Sequence, residues 1–175
     1  MKYTLAACLI VLASCDSREA QEQIRSVAQD ESMIREMVFS LNAQLAKACN
    51  GASVDTDSLM DTYYEGNIYY ITPWGWSEPL DTTKARLRRA IPRIKDFENR
   101  IEKLEVKVYG DGAYASFILR QNYTVDGTLL EEYLPTTLIF ERRGEGWKIV
   151  HAHRSTDYET FQQYIALQLK QEALR

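Results

Sequence analysis

Hydrophobic residues in the first half of the chain recur at intervals of three and four positions, which is the period of an α-helix. One such stripe follows Ser26 and Asp30, both candidate helix caps, and ends at the helix stop signal Gly51. A second, short helix is predicted to begin at Asp55, and a third to run from about 81 to 95. The stripe of the first helix consists of Ile34, Met37, Val38, Leu41, Leu45 and Ala48.

The pattern changes at about Arg100, where apolar and polar residues begin to alternate as they do in β-strands. Asp-Gly pairs at 111–112 and 126–127 predict tight turns between antiparallel strands, and another strand is predicted at 67–72. Helices followed by an antiparallel meander indicate the α+β class. We therefore expect a curved antiparallel sheet, packed on about three N-terminal helices, that forms a cone-shaped barrel whose mouth can hold a ligand.

The first fifteen residues have a different pattern, which is typical of a bacterial signal peptide. A basic start precedes an apolar run at 5–13, about half as long as the roughly 20 residues that span a bilayer. The run ends in Leu12-Ala13-Ser14-Cys15, which resembles the lipobox of bacterial lipoproteins. That resemblance implies cleavage after residue 14 and acylation of Cys15 by palmitate-like chains. The alternative is a secreted or buried N-terminal helix.

Acylation of Cys15 would anchor the protein on the periplasmic side of a bacterial membrane. Asp16 resembles the signal that retains lipoproteins in the inner membrane of enterobacteria-like organisms. We expect residues 15–29 to form a polar tether or a frayed helical lead-in that carries the globular domain at 30–158. A separate C-terminal helix is predicted at 159–175.

Composition adds that the domain is of the ordinary globular kind. The 175 residues are 45% hydrophobic and 26% charged, with a net charge of −4, so no nucleic-acid partner is expected. No intramolecular disulfide is expected either, because Cys8 leaves with the signal peptide, Cys15 carries lipid and Cys49 is the remaining thiol. The sequence has no phosphate-binding glycine loop, nucleophile elbow or zinc-type spacing, and we predict no cofactor and no metal.

Three segments, at 63–68, 106–115 and 140–155, resemble the nuclear transport factor 2-like superfamily, and specifically its SnoaL-like bacterial branch. The last segment ends in Trp-x-x-x-His-x-His-x-Ser, which is also similar to the association domain of calcium/calmodulin-dependent kinase II. The resemblance implies a curved sheet, a cone-shaped pocket and frequent dimers through the sheet. It implies no single activity, since members include isomerases, cyclases, dehydratases and oligomerisation modules.

Two histidines are the candidate catalytic residues. Strand alternation places His151 and His153 on the same face as Ile149, and this face can line the cone. Their imidazoles would then exchange protons with a ligand near neutral pH; the alternative is that they are hydrogen-bonded structural residues. A metal site would need an additional carboxylate beside them. The carboxylates considered for that role are Glu131, Glu132 and Asp157.

Arg120 is the main candidate for ligand binding. An arginine between apolar neighbours reaches either water or a carboxylate, which here is a ligand or a glutamate of the next strand. In the kinase association domains an arginine on the corresponding strand points into the pocket, and the resemblance implies the same for Arg120. The predicted binding set is Arg120, with Asn122 and Tyr114 on its strand face and Tyr70 and Trp74 near the mouth.

Three functions remain open from the sequence. The first is binding of a small apolar or carboxylated ligand in the cone, without assigned catalysis. The second is an acid/base isomerase, cyclase or dehydratase that uses His151 and His153, and the third is a dimerisation or interaction module. The expected partners are a small molecule, the membrane through lipid on Cys15, and a second copy of the chain. The basic run at 84–89 is interpreted as a solvated helix face, with anionic lipid headgroups as its alternative partner.

Overall fold

The computed structural model describes the backbone of residues 13–173, with the side chains of 26–169 and of Glu172. Most of the predicted signal peptide and the side chain of Cys15 lie outside the described residues. None of the helices in the described range is long and apolar enough to cross a membrane. The elements are the helices α1 (Ala13–Cys49), α2 (Thr56–Tyr63), α3 (Leu80–Ala90) and α4 (Tyr158–Ala173), a 3₁₀ turn (Ile91–Arg93), and the strands β1 (Tyr64–Ile71), β2 (Ser77–Pro79), β3 (Ile94–Tyr109), β4 (Gly112–Val125), β5 (Thr128–Arg143) and β6 (Gly146–Arg154).

The strands form one six-stranded sheet in the order β2-β1-β6-β5-β4-β3. Strands β3 to β6 are the predicted antiparallel meander, which confirms the α+β prediction. Strand β1 pairs with β6 in parallel. Such pairing needs a long connection, which the chain between the two strands provides. The sheet is therefore a curved, open sheet packed on helices, with one parallel pair, and its strand order does not close into a barrel.

Helix α1 begins well before the residue predicted to cap it. Residues 16–29 contain no Gly or Pro, and their Glu, Gln, Ala and Arg residues favour helix, so the predicted tether is helical in its backbone. Asp30 lies inside the helix, and its carboxylate accepts hydrogen bonds from Arg142 Nη2 at 2.6 Å and from Trp147 Nε1 at 3.2 Å. The buried carboxylate thus ties α1 to the end of the sheet and does not cap a helix.

Local chemistry sets the ends of the other N-terminal elements. Asp55 caps α2 as predicted, with its side chain accepting hydrogen bonds from two backbone N–H groups. Helix α3 ends at Ala90, about five residues earlier than expected, because Pro92 takes part in a 3₁₀ turn instead. Strand β3 then begins at Ile94, earlier than the predicted change of pattern at Arg100.

Two bulges curve β3 around α1. At the first, Asp96 has a positive φ of 53°, and the next residue, Phe97, turns inward. Its backbone is bound by the Asn50 side chain, which donates to the Phe97 carbonyl at 2.8 Å and accepts from its N–H at 2.9 Å. At the second, Arg35 Nη1 donates to the Leu104 carbonyl at 3.1 Å. Side chains of α1 therefore satisfy backbone groups near both bulges.

The sheet has an inner face that packs on the helices and an opposite side, which we call the outer face. Alternate residues of β4 and β5 are buried on the inner face, around Phe117, Leu119 and Phe140. Helix α1 contributes Ile34 and Leu41 to the same core. The central row of the outer face consists of Tyr69, His151, Ile139 and Tyr114, which are neighbours in strand register.

Candidate functional site

A bulge in β6 decides which residues of that strand point inward. Ile149 and His151 pair with consecutive residues of β5, so Val150 is an extra residue between them. The alternation is thereby reversed: Ile149 points inward, but His151 and His153 lie on the outer face, and Arg154 is on the inner side. The prediction that both histidines share a face with Ile149 is therefore wrong.

The inner side of the sheet and the helices form a partly open cavity of about 50 Å³. This volume holds roughly three or four water molecules. Its wall combines aliphatic side chains with two tyrosines and two arginines, which is the mixture expected of a small-molecule site. The lining residues are Leu45, Met60, Tyr64, Ile68, Tyr70, Leu80, Thr83, Arg86, Leu87 and Arg154.

Of the two arginines, Arg86 is fully paired. Its Nη2 and Nε donate to Glu78 Oε1 at 2.7 and 3.0 Å, and Thr83 Oγ1 donates to the same oxygen at 2.8 Å. The Arg86 guanidinium also lies 5.8 Å from the centre of the Tyr70 ring. The pair with Glu78 neutralises this charge within the protein.

The second arginine, Arg154, is not paired in this way. Its guanidinium carbon lies 5.8 Å from the centre of the Tyr70 ring. Its Nε is inaccessible to water and has no hydrogen-bond partner among the described residues. The ion pairs found within 26–169 do not include it. A buried N–H group without a hydrogen-bond partner is costly, so the cavity is suited to an anion that would accept a hydrogen bond from Arg154 and pair with its charge.

Beside Arg154 lies a buried acid, Glu132, on the inner face of β5. Its Oε1 accepts a hydrogen bond from the Tyr123 hydroxyl at 2.7 Å and another from the Tyr164 hydroxyl. Burial raises the pKa of Glu132, while the hydrogen bonds from the two tyrosines and the charge of Arg154 act in the opposite direction. The interior thus contains a carboxyl group whose protonation can change.

Helix α4 brings Tyr164 into the interior by covering the edge of β5. Strand β5 pairs with β6 only from Thr136 onward, which leaves the backbone before that residue without a β6 partner. Gln163 fills part of this edge: its side chain accepts from the Glu131 N–H at 2.9 Å and donates to the Glu131 carbonyl at 3.1 Å. The Tyr164 ring packs edge-on against Trp74, with 4.4 Å between ring centres. Helix α4 therefore covers this edge of β5 and contacts the loop that carries Trp74.

The predicted binding residues are divided between the two faces of the sheet. Tyr70 lines the cavity, whereas Trp74 is not part of its wall and packs against Tyr164 of α4. Arg120 instead lies on the outer face, where its Nε is 3.3 Å from Glu102 Oε1 and its guanidinium stacks 4.7 Å above the Tyr133 ring. The carboxylate that Arg120 reaches is therefore on β3, and the expectation that Arg120 points into the pocket is wrong.

The other two predicted binding residues of β4 also point outward. Asn122 is exposed and borders, with Arg120, a groove of about 350 Å³ on the outer face. Tyr114 is half-buried there and donates a hydrogen bond to Glu105 at 3.2 Å. Even-numbered residues of β4 face outward because the inner positions are taken by the buried odd-numbered residues.

The carboxylates considered as metal ligands do not converge. Glu131 points outward, Glu132 points inward, and Asp157 accepts a hydrogen bond from the Thr160 N–H at 2.8 Å near the start of α4. Within residues 13–173, no group of three or more His, Cys, Asp or Glu side chains is arranged to hold a metal ion.

Two of the missed interior residues had a signal in the sequence. Arg86 belongs to the basic run interpreted as a solvated face, yet it lies three residues after Thr83, which is on the buried side of α3. Glu132 lies between Leu130 and Leu134 in the alternation of β5, so its position on the apolar, inner face could have been predicted. Arg154 had no such signal, because the bulge before it reverses the alternation.

Comparison with protein families identifies a match over most of the chain. A family model described as SnoaL-like domain matches residues 38–159. The match begins within α1 and ends in the first turn of α4, so it contains the sheet and the whole cavity lining. Among the curated proteins, none matches the chain.

Several solved structures share the fold. An NTF2-like protein of unknown function in nutrient uptake from Rhodospirillum rubrum is 20% identical, with 71% of this chain and 98% of that chain covered and a TM-score of 0.59. The CaMKII hub homology domain of Chlamydomonas reinhardtii is 21% identical, with 72% and 97% covered and a TM-score of 0.57. A putative dehydratase of the NTF2-like family from Streptomyces avermitilis is 14% identical, with 74% and 97% covered and a TM-score of 0.63. At these identities the likeness shows the fold alone.

Proposed function

The chain belongs to the SnoaL-like domain family, and we propose that it binds a small carboxylate with a short apolar tail in its interior cavity. The observation that carries this proposal is the buried Nε of Arg154, which has no hydrogen-bond partner among the described side chains and backbone. A carboxylate would accept hydrogen bonds from the guanidinium and form the direct ion pair that Arg154 lacks. The aliphatic residues of the wall would pack on the tail.

The size of the cavity limits the ligand to a few non-hydrogen atoms. A dry apolar cavity of about 150 Å³ admits benzene, whereas this one measures about 50 Å³. Short monocarboxylates such as acetate and propionate fit this limit better than aromatic or long-chain acids. We use propionate as the probe, because it combines the carboxylate with two apolar carbons.

We expect propionate to stabilise the protein and its neutral analogue propionamide not to do so. At about ten times its dissociation constant, propionate should raise the thermal midpoint by about 4 °C, measured by differential scanning fluorimetry at constant ionic strength. Propionamide has nearly the same shape but no charge to pair with Arg154. Equal stabilisation by the two compounds would show that the site does not recognise a carboxylate. Octanoate, which exceeds the cavity, should bind more weakly than propionate.

The alternative of histidine-based acid/base catalysis is not placed at this cavity. His151 and His153 lie on the outer face, so their imidazoles and the cavity are on opposite sides of the sheet. Their catalytic role stays a prediction, which would require a substrate on the outer face. The binding proposal does not depend on them.

A second proposed function, self-association through the outer face, is favoured by the apolar residues exposed there. Tyr69 is 64% exposed and Ile139 is 41% exposed, and both are neighbours of His151 in strand register. Large apolar groups that lie together on a surface are typical of contact sites. Similar folds include hub domains, and a second copy of this chain is the partner we propose.

Replacing Tyr69 with lysine is expected to weaken self-association by at least about tenfold, since one buried aromatic contact contributes roughly 1.4 kcal/mol or more. Sedimentation velocity over a dilution series would measure the change. Tyr158→Lys is the matched control, because Tyr158 is 72% exposed but belongs to α4. A monomeric wild-type protein, or an equal effect of both variants, would exclude the outer face as the interface.

We also propose that the domain is held at a membrane by lipid on Cys15. Support comes from the sequence pattern of residues 1–15. If the cysteine is acylated, the helical segment before Asp30 would separate the domain from the lipid surface.

A further inference from the structure

The charges beside the cavity balance before any ligand enters. Two guanidinium groups line the wall, those of Arg86 and Arg154. Two buried carboxylates lie next to them: Glu78, which is paired with Arg86, and Glu132, whose pKa responds to both arginines. With all four groups ionised, their charges sum to zero. A ligand carboxylate would add one negative charge to a region shielded from water.

An unbalanced charge in such a region is unfavourable, because the surroundings screen it far less than water does. The imbalance can be removed if one of the carboxylates takes up a proton. Glu78 accepts three hydrogen bonds, two of which come from the guanidinium of Arg86, with which it forms an ion pair. Glu132 accepts its hydrogen bonds from two neutral hydroxyl groups, and a protonated acid can still accept them through its remaining lone pairs.

We propose that the cavity takes up its carboxylate ligand together with one proton, and that this proton is held by Glu132. The inference rests on the proposed function, since it concerns the same cavity and the same Arg154. The proton comes from solvent and converts the Glu132 carboxylate to a carboxylic acid, so that the charges around the cavity still sum to zero when the ligand carboxylate is bound. Ligand binding and proton uptake are then linked, and each strengthens the other.

Of Glu132 and the ionisable groups that face it, Glu132 is the one whose protonation state changes. The facing groups are Tyr123 from β4, Tyr164 from α4, Arg154 from β6 and Arg86 from α3. Burial raises the pKa of both tyrosines, so they stay neutral at physiological pH. The two arginines stay charged throughout. Burial also raises the pKa of Glu132, which moves its titration toward neutrality.

Isothermal titration of propionate in two buffers of different ionisation enthalpy tests the proposal between about pH 5 and pH 9. For the wild-type protein we expect proton uptake to approach one per ligand as pH rises. The affinity should then fall by up to about tenfold per pH unit. In Glu132→Gln, the amide is neutral at every pH, so proton uptake and the pH dependence of affinity should both disappear.

A second variant, Tyr164→Phe, tests the same role of Glu132 and does not require that Glu132→Gln folds. Tyr164→Phe removes one hydrogen bond that favours the ionised form of Glu132, so the fall in affinity should begin at higher pH than in the wild type. Glu131→Gln is the matched control, because Glu131 is exposed on the outer face, and its profile should follow the wild type.

The outcomes separate the two proposals. Propionate binding without proton uptake over the whole range overturns the role of Glu132 and leaves carboxylate binding intact. Proton uptake that persists in Glu132→Gln places the proton on the ligand and also overturns that role. If propionate fails to bind the wild-type protein at every pH, the proposed function fails, and the proton linkage fails with it.

Discussion

Replacing Arg154 with glutamine is expected to weaken propionate binding by about 100-fold at neutral pH. The variant loses two charge-assisted hydrogen bonds to the carboxylate, each contributing about 1.5 kcal/mol, and about 1.4 kcal/mol corresponds to one factor of ten. Isothermal titration measures the loss directly. The thermal midpoint without ligand should change little, since no ion pair found within 26–169 includes Arg154 and Glu132 can take up a proton when the guanidinium is lost.

Two further variants show whether the charge or its geometry matters. Arg154→Lys keeps the charge but not the planar fork, and we expect an intermediate loss of about tenfold. Arg120→Gln is the matched control, because it removes the same group from the outer face of the sheet and should leave affinity unchanged within about twofold. If Arg120→Gln weakens binding as much as Arg154→Gln does, the ligand is not in the interior cavity.

Replacing Asp30 with asparagine is expected to lower the free energy of unfolding by about 2 kcal/mol at neutral pH. The Asp30 carboxylate holds Arg142 with two hydrogen bonds, of 2.6 and 3.2 Å, and also accepts one from Trp147. Arg142 is 28% exposed and stacks on the Trp147 ring at 4.4 Å, so solvent reduces the effect below that of a fully buried pair. Urea denaturation at several pH values measures the difference.

The pH dependence of this difference has a definite sign. The hydrogen bond from Arg142 lowers the pKa of Asp30 in the folded protein. The stabilisation is therefore complete above the ordinary pKa of aspartate, about 3.9, and is lost as pH falls through the lower value of the folded state. Asp111→Asn is the control, because Asp111 contacts the same arginine but is 88% exposed, and we expect less than about 0.5 kcal/mol. Equal losses in both variants would contradict the role assigned to Asp30.

The order of elements was predictable because it depends on local chemistry. The boundaries of these helices and strands are set by signals that act within a few residues. The signals are the stop at Gly51, the cap at Asp55 and the two Asp-Gly turns. The extent of α1 was not predicted, because Asp30 is an equally good cap or ion-pair partner. Its partners, Arg142 and Trp147, are more than a hundred residues away in the sequence.

The site was predicted only in part. Tyr70 lines the cavity, as its alternation in β1 allowed, since β1 alternates regularly where it pairs with β2; its role in ligand binding stays a prediction. Arg120 was assigned to the wrong face, because the sequence around a half-exposed arginine with apolar neighbours looks alike whichever face of the sheet the arginine lies on. The faces of the histidines and of Arg154 were predicted wrongly because of the bulge at Val150. The bulge depends on the hydrogen bonding of β6 with its neighbours and leaves no pattern in the local sequence.

The bulge at Val150 also bears on how proteins with this architecture diverge. If the bulge were lost with Val150 retained, Val150 would pair with Ile139 and the chain after it would shift by one place against its neighbours. His151 and His153 would then enter the interior, while Arg154 left it. One shift of register would thus convert a cavity built around a permanent positive charge into one built around two weak bases. New pocket chemistry can arise in this way through the gain or loss of a bulge, with no substitution of any residue that lines the cavity.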